Sequence, residues 1–408
     1  MNLVEQIDIM ANSDTSTKDE SKTYISTGNA LADEILGGGL GPIGKLVQIA
    51  APSGAGKTVL CNEAIFQAMK KYGKDNVSVR YVDKEGGNSF DTESMYGFSL
   101  QGCFAEDVDT VQDLSADLHI FAESKPEKNI GIYVVDSWDS LASDDEMIEM
   151  SERVKYYKKG QEYDKKTYGA DKAKYTSKFF RTLIKTIRDS NVLMIVISQL
   201  RDNLNAGMFG PKDLIGGGRA LEFYADQRLS LRVREEIKEE NRLIGQTVML
   251  NALKTRCKYP KRSTFLTLLT AYGIDDVGTN VDYLYDLRDD LGKLKTSDAA
   301  NIVWGDRDIE VNSNTVKAFL EENGVLDDAL SAIKDDKKRA TQNNLIEWIR
   351  SNPEIQTKYV EYFGVLDRES LIQYIMDNDK EQEIADKAVK KWLNIEERIR
   401  PVRKEKRL

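Results

Sequence analysis

The segment Ala51-Pro52-Ser53-Gly54-Ala55-Gly56-Lys57-Thr58-Val59 carries the most explicit chemistry in this chain. A strand pattern, Leu46–Ala50, precedes it, and a helix pattern follows, with Val59, Leu60, Ala64, Ile65, Ala68 and Met69 on one face. A turn of small residues lets backbone N–H groups face phosphate oxygens, and the helix N-terminus adds partial positive charge. Lys57 is then placed to reach the β- and γ-phosphates, and the Thr58 hydroxyl to ligate Mg²⁺. The pattern asks for glycine at its first position, where this chain has Ala51. The chemistry is the binding of a nucleoside triphosphate, and the loop alone does not say what the energy is used for.

Three further sites fall at the ends of apolar strand patterns, where ligands bind in open α/β sheets. Asp83-Lys84-Glu85 follows Val77–Val82, Asp136-Ser137 follows Ile132–Val135, and Ser198-Gln199 follows Val192–Ile197. Asp136 stands where phosphate-loop enzymes keep the acid that holds Mg²⁺, directly or through water; the alternative is an N-cap at a strand end. Glu85 is the candidate for orienting an attacking water and taking its proton, against a carboxylate in a surface ion pair. Gln199, an uncharged donor and acceptor beside Asp136, is the candidate sensor of the γ-phosphate.

These elements belong to a chain of 408 residues with 40% hydrophobic content, enough for two or three domains. No apolar run of about 18 residues predicts a membrane span, and no signal peptide is visible, so a cytoplasmic location is expected. Cys61, Cys103 and Cys257 are scattered and argue against a disulfide framework or a zinc site. His119 is the only histidine, which excludes His-based metal sites and Ser-His-Asp triads. The net charge of −10 hides a segregation. Acids crowd residues 144–152, whereas residues 153–178 hold nine bases against three acids, with tyrosines at 156, 157, 163, 168 and 175. Such a patch, with Lys155, Lys158, Lys159, Lys165 and Lys166, attracts phosphates whatever the average charge; the bland alternative is a solvated helix face.

The expected organisation is a polar lead over 1–25, an α/β core over 26–285 and a mainly helical C-terminal domain over 286–408 with a basic tail. Strand patterns in the core are Leu46–Ala50, Val77–Asp83, Ile132–Asp136, Val192–Ser198, Arg228–Arg234, Gln246–Leu253 and Thr264–Thr270. The first four are apolar runs, as buried parallel strands require, and the last three alternate as antiparallel or edge strands do. Charged helical stretches follow at Ser313–Asn323, Leu326–Lys334, Asn343–Asn352 and Lys380–Glu397. After Gln199 the chain continues through Arg201, Met208-Phe209-Gly210 and Gly216-Gly217-Gly218-Arg219. A glycine-containing loop with an apolar tip can insert between bases; it can equally anchor in a core.

In order and spacing this constellation resembles the RecA/UvsX class of DNA strand-exchange recombinases over roughly residues 24–285. Ser26-Thr27-Gly28 and Leu36-Gly37-Gly38-Gly39-Leu40 look like that family's lead into its ATP loop. Tyr81-Val82-Asp83-Lys84-Glu85 is similar to the catalytic-glutamate segment, and Val134-Val135-Asp136-Ser137 to the Walker B strand. Ile197-Ser198-Gln199-Leu200-Arg201 resembles the opening of the second DNA loop, with Met208-Phe209-Gly210 as its body and Gly217-Gly218-Arg219-Ala220-Leu221 as its exit. Lys254-Thr255-Arg256 resembles the basic pair that reaches a neighbouring subunit's ATP. Departures include Arg256, where bacterial members usually carry Lys, and Thr92, where an adenine-stacking Tyr is expected, which leaves Phe90 or Tyr96 for the base. The region about 151–176, the first DNA loop, is richer in lysine and tyrosine than the bacterial type, and the tail is basic rather than acidic. These differences point toward a phage-encoded or otherwise diverged member.

The resemblance implies a RecA-like P-loop ATPase core with a mostly parallel sheet, ATP and Mg²⁺ as cofactors, and a helical homopolymer on single-stranded DNA that pairs with double-stranded DNA. Mediator and single-strand-binding proteins would be partners, and the N-terminal segment would dock on a neighbour. The rivals are a hexameric helicase motor of the same core type, a clock- or signalling-type ATPase of the superfamily that binds no DNA, and a recombination mediator that regulates a recombinase.

Overall fold

The computed structural model describes residues 23–159, 169–202, 213–255, 261–299, 302–303, 312–335 and 339–399. The chain packs as two compact units, one running to Thr279 and resuming at Val389, the other Asn280–Ala388.

In the first unit, nine strands of the described residues form one sheet in the order β2-β3-β4-β1-β6-β7-β8-β9, with β5 paired to β4. The four apolar runs become β1 (Leu46–Ala51), β2 (Val77–Asp83), β3 (Ile130–Asp136) and β4 (Val192–Asp202), side by side and parallel. Every residue of β1 is buried, as a strand covered on both faces must be. The three alternating runs become β6 (Gln227–Glu239), β7 (Arg242–Lys254) and β8 (Ser263–Leu269); β6 is parallel to β1 and the rest continue antiparallel through β9 (Gly273–Ile274). The β6–β7 hairpin reaches further than its sequence pattern, because its tip is polar. Glu240 and Asn241, with φ of 46° and 64°, close it in the left-handed geometry that matches strand twist. The short β5 (Asp213–Ile215) has no alternating pattern of its own and pairs antiparallel with the end of β4.

Helices cover the sheet. Helix α1 (Ala30–Leu36) is capped by Asn29, whose Oδ1 accepts from Ala32 N at 2.9 Å. The phosphate-loop helix α2 (Lys57–Tyr72) buries Leu60, Cys61, Ala64, Ile65 and Ala68, while Val59 and Met69 are only half-buried. Between β2 and β3 lie a one-turn helix, α3 (Thr92–Tyr96), and α4 (Val111–Ser124), which starts in a Thr110/Asp113 capping box. Helix α5 (Asp144–Lys158) buries none of its residues. Its acids Asp144, Asp145 and Glu146 fill the first turn and Lys155 and Lys158 the last, so the charge segregation seen in sequence also complements the helix dipole. Helix α6 (Gly169–Asp189) places Phe179, Phe180, Leu183 and Ile187 in the main core, where Trp138 lies 4.9 Å from Phe180 between ring centres. A final short helix, α7 (Gly218–Tyr224), precedes β6.

The second unit is helical, with Ser313–Glu322, Leu326–Asp335, Gln342–Arg350, Pro353–Phe363 and Arg368–Asp377. Val316, Phe319, Leu345, Ile349 and Phe363 form its core. Asp282 is paired there with Arg288 at 2.7 Å and Arg368 at 2.6 Å, so a buried carboxylate is compensated by two guanidinium groups. The last helix, Glu381–Ile399, leaves this unit at Ala388, and Glu396 accepts from Arg262 at 2.7 Å in the first. No helix among the described residues is long and apolar enough to cross a membrane.

The lead into the phosphate loop is held by Asp33, which accepts from Ser26 Oγ at 2.5 Å and from Thr27 N and Thr27 Oγ1, each at 2.7 Å. Burial pushes its carboxyl up to about 6, the three hydrogen bonds oppose that rise, and nearby Asp276 adds to it. A raised folded-state value contributes stability that is complete below the ordinary value of 3.8 and is lost as pH rises through about 6. Asp33→Asn cannot ionise. Its stability should therefore gain on the parent's by on the order of 2 kcal/mol between about pH 4 and pH 7, after discounting for partial exposure. Urea unfolding across that range measures the difference, and parallel pH profiles would refute the assignment.

Candidate functional site

The loop after β1 begins in extended backbone. Ala51 has a negative φ, so its turn makes no demand that only glycine meets. The demand falls on Gly56, whose φ is 86° and where a Cβ would sit 2.2 Å from Leu268 Cδ1. Gly56 caps α2 without a side chain, which leaves first-turn N–H groups for an anion. Lys57 Nζ donates to the carbonyls of Ala51 at 3.1 Å and Pro52 at 2.9 Å. Burial pulls its pKa down, and the carboxylates of Asp136, Glu85 and Asp139 push it back up.

Asp136 closes β3 with a side chain 3% exposed. Its Oδ2 accepts from Thr58 Oγ1 at 2.9 Å and from the Tyr81 hydroxyl at 3.2 Å. Burial raises its pKa, those two hydrogen bonds lower it, and Asp83 and Glu85 raise it further. A hydroxyl and a carboxylate are hard oxygen donors of the kind Mg²⁺ takes alongside phosphate oxygens and water. The donor set therefore fits that ion.

Glu85 stands beyond the end of β2. Its Oε1 accepts from Gln199 Nε2 at 2.9 Å and from Ser137 Oγ, so the ends of β2, β3 and β4 meet at one carboxylate. The loop carrying it is fixed on both sides. Asp83 accepts from Gly87 N at 3.2 Å and Asn88 N at 2.9 Å, and the Asn88 and Asn62 amides bond reciprocally at 3.0 and 3.1 Å. Asp139, which the sequence analysis passed over, accepts from Gln199 N at 2.8 Å. A Cβ at Gly216 would lie 1.9 Å from Asp139 Oδ1, so only glycine lets that strand approach.

A cavity of 320 Å³ brings the phosphate loop together with Glu85 and Asp136. Ser53, Gly54, Gly56 to Val59, Glu85 and Asp136 line one side. Leu243, Gln246 and Leu268 to Thr270 line the other, brought there by the β7–β8 pairing. Gln246 Nε2 donates to Gly54 O at 2.8 Å and ties that wall to the loop. Of the two aromatic residues expected near a base, Phe90 lines the cavity and Tyr96 does not. Tyr96 packs on Phe66 at 5.2 Å and Phe98 at 5.8 Å. Thr92 is buried and accepts from Leu100 N, a structural role.

The remaining expected residues lie elsewhere. Lys254 ends β7 opposite Arg228 and donates to the carbonyls of Glu222 at 3.0 Å and Phe223 at 3.1 Å. Arg256 lies outside the described residues, as do Lys165, Lys166, Met208, Phe209 and Gly210. Lys155, Lys158 and Lys159 are exposed at the end of α5, which turns part of the expected 151–176 loop into helix. Arg201 is exposed on β4, and its guanidinium reaches Gln199 Oε1 at 3.5 Å. Gly217, Gly218 and Arg219 open α7.

A family model described as the RecA N-terminal domain matches residues 6–275. The chain is 25% identical over 312 residues to the Protein RecA of Mycoplasma mobile, covering 76% of this chain and 86% of that one. It is 27% identical over 307 residues to the Protein RecA of Lactiplantibacillus pentosus, covering 74% of each.

The Asn62–Asn88 pair gives a test of how the Glu85 loop is held. Either single replacement by Leu leaves a partner amide unsatisfied beside the core and should cost about 1–3 kcal/mol, whereas the double variant should cost less than the sum of the two. Equilibrium unfolding of the four proteins measures the coupling. Strict additivity would show that the two amides do not support one another.

Proposed function

The chain belongs to the RecA family, and on that premise we propose that it is an ATP-dependent recombinase that polymerises on single-stranded DNA and exchanges strands with a homologous duplex. The observation that carries this reading is the Glu85 carboxylate shared by Ser137 and Gln199 in the same cavity as the phosphate loop. It gives one subunit both a group to activate water and a group to report the γ-phosphate.

In this function the loop from Ala51 to Val59 cradles the phosphates, and Lys57 leaves its loop carbonyls for the β- and γ-phosphates. Thr58 and Asp136 would hold Mg²⁺, which would supply positive charge to the phosphoryl group being transferred. Glu85 orients the attacking water and takes its proton, and Gln199 senses the γ-phosphate. Phe90 and the wall of Leu243, Gly245, Gln246 and Leu268 to Thr270 receive the adenine. Lys254 and Arg256 act on a neighbouring subunit's ATP, so the filament interface completes each site. Residues 26–285 work as the motor and DNA-binding core, 1–25 dock on a neighbour, and 286–408 form a helical accessory domain.

The DNA is held by Lys155, Lys158, Lys159, Lys165 and Lys166 on one loop region, and by Arg201, Met208, Phe209, Gly210, Gly217, Gly218 and Arg219 on the other. Lysines there supply phosphate contacts, and an apolar tip separates bases. The bases of the incoming strand are then selected by pairing.

Electron microscopy with single-stranded DNA and a slowly hydrolysed ATP analogue should show continuous helical filaments; closed rings without filaments would sink the recombinase reading. Lys57→Ala should lose ATP turnover, and a variant with parental turnover would refute the loop's role. Replacing Lys155, Lys158 and Lys159 together by Ala should flatten the dependence of log affinity for single-stranded DNA on log salt by about 2, at roughly 0.7 per phosphate contact. An unchanged slope would place those lysines off the DNA.

A further inference from the structure

Gln48 is a polar residue in the middle of a strand buried along its whole length, and it is 1% exposed. Its register partners are Val196 on β4 and Arg228 on β6, so it lies between the strand that carries Gln199 and the strand paired to Lys254. Its Nε2 donates to Ser198 Oγ and to Gly216 O, both at 3.0 Å, which uses both amide hydrogens. Its Oε1 accepts from Arg228 Nε at 2.8 Å.

Each of these partners leads outward. Gly216 N donates to Gln199 O at 3.1 Å, so the segment that Gln48 holds is bonded to the sensor glutamine itself. On the other flank, Arg228 donates to Glu222 Oε1 at 2.5 Å, and Lys254 donates to the carbonyls of Glu222 and Phe223. A displacement of Gln199 must either carry Ser198 and Gly216 with it and load the Gln48 amide, or break hydrogen bonds where little water can replace them. Leaving buried donors unmade is the costlier route, so concerted movement is favoured.

We propose that Gln48 is a positioning residue that couples the Gln199 strand to the Glu222–Lys254 edge, so that the state of a subunit's own triphosphate alters the surface it presents to its neighbour's. This role rests on the recombinase function proposed above, in which Lys254 meets the next subunit's ATP. The test reads transmission between the two strands rather than fold.

Hydrogen–deuterium exchange of the full chain, with and without a slowly hydrolysed ATP analogue, reads it directly. In the parent the analogue should change exchange both in 196–202 and in 222–228 with 250–255. In Gln48→Met, similar in volume but without the amide, the first change should persist while the second falls at least fivefold. A purely structural glutamine would lower the melting temperature and leave both changes intact, which overturns the proposal. If Gln48→Met does not fold, Glu222→Ala decides, since that side chain is 60% exposed and tolerates truncation. It should weaken the change at 250–255 at least twofold, and parental behaviour would again overturn the coupling. A parent in which the analogue changes nothing beyond 196–202 also overturns it. Strand exchange by the parent is measured separately, and its absence sinks the recombinase function without altering the exchange result.

Discussion

The end of the parallel sheet depends on how one carboxylate is shared. Glu85 comes from beyond β2, yet its acceptor oxygen is taken by Ser137 after β3 and Gln199 in β4. Three separate strand ends are thereby brought to one point, above a fourth that delivers the phosphate loop. The parallel pairing of β2, β3, β4 and β1 makes this possible, because it sends all four C-terminal ends to the same edge of the sheet.

That convergence carries an electrostatic cost which the site distributes. Glu85, Asp136 and Asp139 gather around Lys57, the one cation of the phosphate loop, and Asp83 adds its charge beside Asp136. Burial opposes the charged form of both Lys57 and Asp136, and the Asp136 carboxylate partly restores the Lys57 ammonium by attraction. Thr58 and Tyr81 then stabilise the Asp136 carboxylate by direct hydrogen bonds. The arrangement fits the proposed exchange of partners: a cation at Thr58 and Asp136 would offset the acids, and phosphate oxygens would take over the Lys57 ammonium from two loop carbonyls.

The parts of this site that were legible in sequence are those fixed by local chemistry. The Gly56-Lys57-Thr58 turn, the acid at the end of an apolar strand and Gln199 after another each announce themselves within a few residues of a hydrophobic run. The four parallel strands were legible for the same reason, since burial on both faces leaves an apolar run. Asp139 was not, because a carboxylate three residues beyond a strand looks like any surface acid until Gly216 is seen packed against it. Ala51 illustrates the opposite case. In sequence it departs from the motif, and in space it sits in extended backbone where a methyl group costs nothing.

The wall of the cavity opposite the phosphate loop shows why distance along the chain limits such reading. Leu243, Gln246 and Leu268 to Thr270 reach the phosphate loop only because the β6–β7 hairpin extends to Glu240 and Asn241 and β8 then pairs back along β7. None of these residues carries a motif, and the polar hairpin tip hides the length of both strands. Their placement follows from register: a slip of one residue in the β7–β8 ladder would turn Gln246 and Leu268 to the other face and break the Gln246–Gly54 bond. The phosphate-loop motif of this chain is therefore written in a short segment. The cavity that would receive the rest of a nucleotide is a property of sheet geometry, held by hydrogen bonds between residues some two hundred positions apart, as Gln246 and Gly54 are.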